Sequence, residues 1–144
     1  MDSIDLQILR LLKNNSRVTN SEIGKQVRLS LPAVSERIRK LEEADVITRY
    51  TVRLNRALLG LHLTAFILVC LDQKGAAEQF RETVSHCAGI LECHHITGEY
   101  DYLLKVAVRN TAELESLISN TLKKGGGAAR SNTIVVLSTQ KEGD

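Results

Sequence analysis

The chain has little of what a chemical function needs. Its three cysteines, Cys70, Cys87 and Cys93, are odd in number and show no C-x-x-C spacing. A disulfide framework is therefore not expected, and buried thiols are. There is no phosphate-cradling glycine loop and no nucleophile with a base and an orienting third residue. The one cluster that suggests chemistry is Cys87, Cys93, His94 and His95. Adjacent His94 and His95 point to opposite faces of a strand, so a single metal could take only one of them with Cys93 or Cys87, which is too few ligands. Cys93 and His95 share a face but have no evident orienting partner. Structural packing is the expected role of all four, with no catalytic residue, metal or cofactor. Long hydrophobic runs are also missing: the longest, Leu63 to Leu71, falls far short of the roughly 20 residues of a membrane helix. No secretory n-region or h-region opens the chain, so a cytoplasmic protein without membrane contact is expected.

What the chain does have is an uneven distribution of charge. Residues 1–60 carry 11 Lys/Arg against 7 Asp/Glu, whereas residues 61–144 carry 8 against 10. A basic half beside an acidic half is expected when one half meets phosphates and the other does not. Two small domains, 1–60 and 61–144, fit the 144 residues.

Residues 19–41 of the basic half, TNSEIGKQVRLSLPAVSERIRKL, predict two short helices joined by a turn. Thr19 and Glu22 form a T-x-x-E capping box, so the first helix starts at about Asn20. Ser30 is a second good N-cap. The only proline of the chain, Pro32, falls in the first turn, where the missing amide hydrogen costs nothing. Val34, Ile38 and Leu41 make one apolar stripe, and Ser35, Arg37, Arg39 and Lys40 lie off it. One face packs while the other can enter a major groove, which is the pattern of a helix-turn-helix. Upstream, Ile4, Ile8, Leu11 and Leu12 predict a third helix from about Asp2 to Lys13, with Asp2 and Asp5 in the first turn where the helix dipole favours them. Downstream, Val46, Ile47, Tyr50, Val52 and Leu54 suit a short strand or hairpin, the wing of a winged motif.

The acidic half alternates element types. A buried strand is expected over 61–72, and a helix over 75–86 with Ala77, Phe80 and Val84 on one face. Strands are expected over 90–97 and 102–108, separated by the turn Gly98-Glu99-Tyr100-Asp101. Thr111 is expected to cap a helix bearing Leu114, Leu117, Ile118 and Leu122, closed by Lys123 and Lys124. Gly125, Gly126 and Gly127 then make a link or C-cap before a last strand over 133–139. The order βαββαβ describes a ferredoxin-like sandwich, with four antiparallel strands covered by two helices on one face. The fold class is thus α+β. The other sheet face would be bare and must be buried, most economically against a second copy of the chain as a two-fold dimer.

Several stretches together resemble the leucine-responsive regulatory protein and asparagine-operon regulator (Lrp/AsnC) family. They are I-D-x-x-I-L (Ile4 to Leu9), L-S-x-x-x-V-x-x-R-I-x-x-L (Leu29 to Leu41), E-E-x-x-V-I-x-x-Y (Glu42 to Tyr50) and G-I-L-E-C-H-H-I-T-G-E-Y-D-Y-L-L-K-V (Gly89 to Val106). The resemblance implies a bacterial or archaeal transcription regulator, associated with the nucleoid, that binds double-stranded DNA. It implies dimerisation through the C-terminal domains, further assembly such as an octamer that bends or wraps DNA, and a small amino acid as effector. The DNA-binding residues it implies are Asn20, Ser21, Arg28, Ser30, Leu31, Pro32, Ala33, Ser35, Glu36, Arg37, Arg39 and Lys40, with Arg37 reading a base and Lys40 touching phosphate. The effector site it implies comprises Gly98, Glu99, Tyr100, Asp101, Ser131 and Thr133. Backbone amides of the turn would meet a carboxylate there and Asp101 an ammonium; read from the residues alone, Asp101 instead caps the hairpin turn. Arg28 and Asp45 stand where the family often has glycine, and Ala128 and Ser131 replace a frequent Val and Thr. The alternative function is an amino-acid-binding assembly module whose helix-turn-helix makes protein contacts.

Overall fold

A computed structural model of the chain describes residues 1–72 and 76–143. It forms two compact units, Met1–Leu54 and Asn55–Asp144. The division precedes the 60/61 boundary suggested by charge, and Arg56 shows the physical reason: its guanidinium pairs with Glu142 at 3.1 Å, which ties this segment to the second unit.

The first unit holds α1 (Ser3–Asn14), α2 (Asn20–Val27) and α3 (Leu31–Glu43). Each starts at a side-chain cap. The Asp2 carboxylate accepts from the amides of Ile4 and Asp5, and the Asp5 carboxylate accepts from the Asp2 amide, making a capping box. Thr19 and Glu22 make another, and the Ser30 hydroxyl accepts from the Ala33 amide. The three stripes then meet: Ile8, Ile23, Val27, Val34 and Ile38 form the buried centre, with Ile4, Leu11, Leu12, Val18, Leu29 and Ile47 packed around it. Each such side chain removed from water contributes about 1.5–3 kcal/mol, which outweighs the intrinsic instability of helices this short.

The tightest point is the turn between α2 and α3. The Leu29 amide donates to the Gly24 carbonyl at 2.9 Å, and a Cβ on Gly24 would lie 2.6 Å from the Leu29 carbonyl oxygen. Arg28, the C-cap of α2, is left-handed at φ 57, and Asp45 follows α3 at φ 53. Both residues hold a backbone region that glycine adopts without cost.

The expected strand or hairpin over residues 46–54 is not formed: among the described residues of the first unit there is no strand. A strand needs a backbone partner, and none of the three helices can supply one. The segment instead stays at the end of α3, where the amides of Val46 and Ile47 donate to the Leu41 carbonyl and the Tyr50 hydroxyl donates to Glu42 at 2.8 Å. Val52 and Leu54 remain exposed.

The second unit is the expected βαββαβ sandwich. It comprises β1 (Leu63–Leu71), α4 (Ala76–Ser85), β2 (Ile90–His95), β3 (Tyr102–Val108), α5 (Thr111–Ser116) and β4 (Ala128–Val135). The expected helix start at Gly75 lies outside the described residues. The strands lie in the order β2-β3-β1-β4 and all pairs are antiparallel. Ala65, Ile67 and Val69 of β1 and Tyr102, Leu104, Val106 and Val108 of β3 pack against Phe80, Val84, Leu114, Leu117 and Leu122 from the helices. Successive strand residues face opposite ways, so Phe66, Leu68, Leu103 and Ile134 lie on the uncovered face.

Three details differ from expectation. Asn110, not Thr111, caps α5, its side-chain oxygen accepting from the Glu113 amide at 2.9 Å. The helix then widens into a π-helical stretch, Leu117–Gly125, and the Gly125 carbonyl accepts from Gln79 at 2.9 Å and Thr83 at 3.2 Å on α4. Finally, β4 covers Ala128–Val135 rather than 133–139. Gly127 takes φ 69, which lets the chain reverse within the glycine triplet and pair at once, Ala128 opposite Leu71.

The geometry of the α2–α3 turn gives a paired prediction. Gly24→Ala is expected to destabilise the first unit by about 1–3 kcal/mol through overpacking, and Arg28→Gly to stabilise it by roughly 1 kcal/mol. Residue-resolved hydrogen exchange of the α2 and α3 amides measures both.

Candidate nucleic-acid interface and effector site

The turn that fixes α3 also fixes what α3 presents. Val34, Ile38 and Leu41 face the core, which turns Pro32, Glu36, Arg39 and Lys40 outward, and all four are exposed. Leu31, 54% exposed at the start of the helix, is an apolar side chain with no core to enter. Ala33 and Ser35 are half-buried, while Ser21, Arg28 and Ser30 are exposed. Asn20 and Ser35 bond to each other, the Asn20 amide donating to the Ser35 hydroxyl at 2.9 Å. This contact locks the start of α2 onto α3.

The cations of α3 are all paired. Arg37 leans toward α1, where its Nη1 donates to Asp2 at 2.8 Å and Asp5 at 2.6 Å. Arg39 donates to both oxygens of Glu36, at 3.0 and 2.8 Å, and also pairs with Glu43. Lys40 lies 3.5 Å from Glu36. Hydrogen bonding from Arg39 holds the Glu36 carboxyl below its ordinary range. Asp2 and Asp5 are lowered first by each other's backbone amides and then by Arg37. The sequence reading missed the link from Arg37 to α1, although the D-x-x-D spacing of Asp2 and Asp5 is itself a capping-box signal. It also missed Gly24, for which a lone glycine in an amphipathic helix was the only clue.

In the second unit the 98–101 turn closes onto the end of β1. Gly98 takes φ 108. The Asp101 amide donates to the Val69 carbonyl at 2.9 Å, and the Asp101 carboxylate accepts from the Leu71 amide at 2.8 Å. The Arg130 guanidinium stacks 4.9 Å over the Tyr100 ring and lies 3.9 Å from Glu99. The Cys70 thiol donates to the Glu99 carbonyl at 3.1 Å. Arg130 pairs with Cys70 across the sheet, whereas Ser131 and Thr133 pair with Val69 and Ile67. Ser131 and Thr133 therefore share the helix-covered face, and Arg130 takes the open one. The structure brings Glu99 and Tyr100 together with Arg130, which the sequence reading did not include, and places Ser131 and Thr133 across the sheet from Arg130.

On the helix-covered side Asp101 also lines a cavity of about 420 Å³, with Leu71, Asp72, Ala77, Arg81, His95 and Tyr102. The His95 ring stacks on Tyr102 at 5.0 Å, and His94 on the other face approaches Glu92 at 3.1 Å. Burial raises the Cys93 thiol pKa. Among the described residues no three His, Cys, Asp or Glu side chains gather as metal ligands. Nor is any helix among them long and apolar enough to cross a membrane.

A capped, locked helix-turn-helix in one unit and a split βαβ sandwich in the other describe a helix-turn-helix DNA-binding protein with a separate regulatory domain. Residues 1–48 match the winged helix-turn-helix DNA-binding family and residues 64–144 the Lrp/AsnC ligand binding domain. The chain belongs to the Lrp/AsnC family of DNA-binding transcription regulators. It is 40% identical over 139 residues to the HTH-type transcriptional regulator YezC of Bacillus subtilis, covering 96% of this chain and 95% of that one. It is 36% identical over 145 residues to the leucine-responsive regulatory protein of Escherichia coli, covering 99% and 88%. Among solved structures, a transcriptional regulator from Neisseria meningitidis in complex with L-Met superimposes with a TM-score of 0.94 at 31% identity, covering 99% and 93%. LrpC of B. subtilis superimposes with a TM-score of 0.89 at 29% identity, covering 98% and 97%.

The ion pairs of Arg37 set an acid response. The folded pKa values of Asp2 and Asp5 are depressed, so their stabilisation is present above the unfolded value of about 3.9 and is lost as pH falls through the lower folded values. Arg37→Ala removes the second cause of that depression. The acid midpoint of the α1 amide signals, followed by NMR, is expected to move to higher pH; an unmoved midpoint would show that the pairs contribute nothing.

Proposed function

We propose that this regulator acts as a two-fold dimer, paired through the open sheet face and assembling further. In this reading α3 of each chain enters a major groove, and a small amino acid modulates assembly or DNA affinity. The observation that carries it is the outward face of α3: a helix capped at Ser30, locked by Asn20 and Gly24, that leaves Leu31, Pro32, Glu36, Arg39 and Lys40 in solvent. Such a helix start approaches base edges, and paired chains set the half-site spacing. The proposed contacts are Asn20, Ser21, Arg28, Ser30, Leu31, Pro32, Ala33, Ser35, Glu36, Arg37, Arg39 and Lys40. The base contact expected of Arg37 is replaced in this proposal by a phosphate contact: its Nη1 is held by both aspartates, which leaves the rest of the guanidinium for a phosphate at the groove edge.

Dimerisation is supported by Phe66, Leu68, Leu103 and Ile134, apolar side chains on a face that no helix among the described residues covers. The effector reading draws on the L-Met bound to the Neisseria relative. The site expected from the resemblance is the turn Gly98, Glu99, Tyr100 and Asp101 with Ser131 and Thr133; because those two side chains face the helix-covered side, the site proposed on the open face is the turn with Arg130, whose guanidinium suits a carboxylate. The protein is read as a nucleoid-associated, cytoplasmic regulator with no enzymatic activity.

Duplex binding is expected to weaken steeply with salt, and Lys40→Ala to weaken all sequences alike while reducing the salt slope by about 1. Fluorescence anisotropy across a salt series measures both, and binding indifferent to salt would favour a protein-contacting helix-turn-helix instead. For the effector, a panel of amino acids is expected to contain at least one that shifts melting temperature or oligomer size. Asp101→Asn keeps an acceptor for the Leu71 amide and removes the charge, so it is expected to abolish that shift while leaving the fold intact. A panel without effect overturns the effector assignment.

A further inference from the structure

The outward face of α3 is electrically mixed. Arg39 and Lys40 stand on it with Glu36 and Glu43, two cations against two carboxylates, and three of the four meet at Glu36. A face built only to hold phosphates has no use for a carboxylate at its centre. Glu36 lies in the second turn of α3, on the side opposite Val34, Ile38 and Leu41. In a helix-turn-helix that position looks into the groove, where the flanking phosphates repel it. It is tolerated only against a hydrogen-bond donor. The major groove offers two kinds, the N4 amino group of cytosine and the N6 amino group of adenine. Adenine presents its N7 acceptor beside the amino group, which repels a carboxylate, whereas cytosine presents the amino group without one.

We propose that Glu36 is a specificity-determining residue that accepts a hydrogen bond from cytosine N4, while Arg39, held beside it, takes the guanine edge of the same or the adjacent base pair. The inference rests on the DNA-binding reading of α3 and deepens it. Arg39 reaches both Glu36 oxygens through its Nε and Nη2, so the carboxylate fixes the plane of the guanidinium before DNA arrives. With Nε and Nη2 turned to Glu36, the Nη1–Nη2 edge is the fork left for the O6 and N7 acceptors of guanine, and Nη1 gives up its exposed pair with Glu43 to take it. The Arg39 bonds also hold Glu36 ionised, its pKa below the ordinary carboxylate range, so the acceptor is fully charged at neutral pH. Lys40, at 3.5 Å from the same carboxylate, is free to turn to a phosphate once cytosine takes its place. The sites this protein prefers therefore contain a G·C pair under the second turn of α3 in each half-site.

The test is selection of bound duplexes from a randomised pool by the full-length chain, wild type against Glu36→Gln and Glu36→Ala, with thermal melting to show that the exposed substitutions leave the fold intact. The wild type is expected to enrich a motif with one G·C position per half-site that discriminates about ten- to a hundredfold against the other pairs. Glu36→Gln is expected to lose that preference or move it to adenine, which a glutamine reads bidentately, and Glu36→Ala to lose it; both are expected to bind random duplex more tightly because a repelled charge is gone. Recovery of the wild-type motif with undiminished discrimination by both variants would overturn the assignment of Glu36 while leaving DNA binding by α3 intact. Absence of salt-dependent binding by the wild type to any duplex would instead overturn the DNA-binding reading, and the inference with it.

Discussion

The second unit depends on one strand. β1 hydrogen-bonds to β3 on one edge and β4 on the other, and it carries apolar side chains on both faces. Ala65, Ile67 and Val69 are fully buried under the helices, while Phe66 and Leu68 look the other way. A strand in this position satisfies its own backbone within the chain but satisfies its side chains only on one face. β1 is thus closed in hydrogen bonds and open in hydrophobic surface, while β2 and β4 form the edges of the sheet. The proposed pairing with a second copy rests on that imbalance.

The first unit depends on a contact of a different kind, the absence of a side chain at Gly24. Because the backbone of the turn at Leu29 packs directly on Gly24 of α2, the course of the chain from α2 into α3 is set by sterics and not by a flexible interdigitation of long side chains. Asn20 and Arg37 then brace α3 from its two flanks, one through Ser35 and the other through Asp2 and Asp5. The outward face is thereby held in a fixed attitude, and its mixed charges become a pattern that can be read. Had the face carried only lysines, the same rigidity would have served nothing beyond adhesion to phosphates.

Much of this was legible in the residues. Caps at Thr19 and Ser30, the apolar stripes of α1, α2 and α3, the exact span of β3 and the βαββαβ order all follow from local rules, since capping and periodicity act within a few residues. The family resemblance was legible for the same reason: the motifs that carry it lie in contiguous stretches. The failures share a cause as well. Val46 to Leu54 has strand composition but no partner in its own unit, and composition does not say whether a partner exists. The early start of β4 depended on Gly127 adopting a left-handed turn and on Leu71 waiting opposite Ala128.

The sequence by itself determined which elements form, their order, the basic character of the N-terminal half and the presence of a helix able to enter a groove. Tertiary structure alone decided the partners of the charges: that Arg37 turns to α1, that Arg39 and Lys40 converge on Glu36, that Asp101 holds the end of β1, and that Arg130 rather than Ser131 faces Tyr100. The physical reason is range. Helix caps and hydrophobic periodicity are set by residues three or four apart, whereas an ion pair such as Arg37 with Asp2, or a stacked pair such as Arg130 with Tyr100, exists only after distant segments have been brought within a few ångströms.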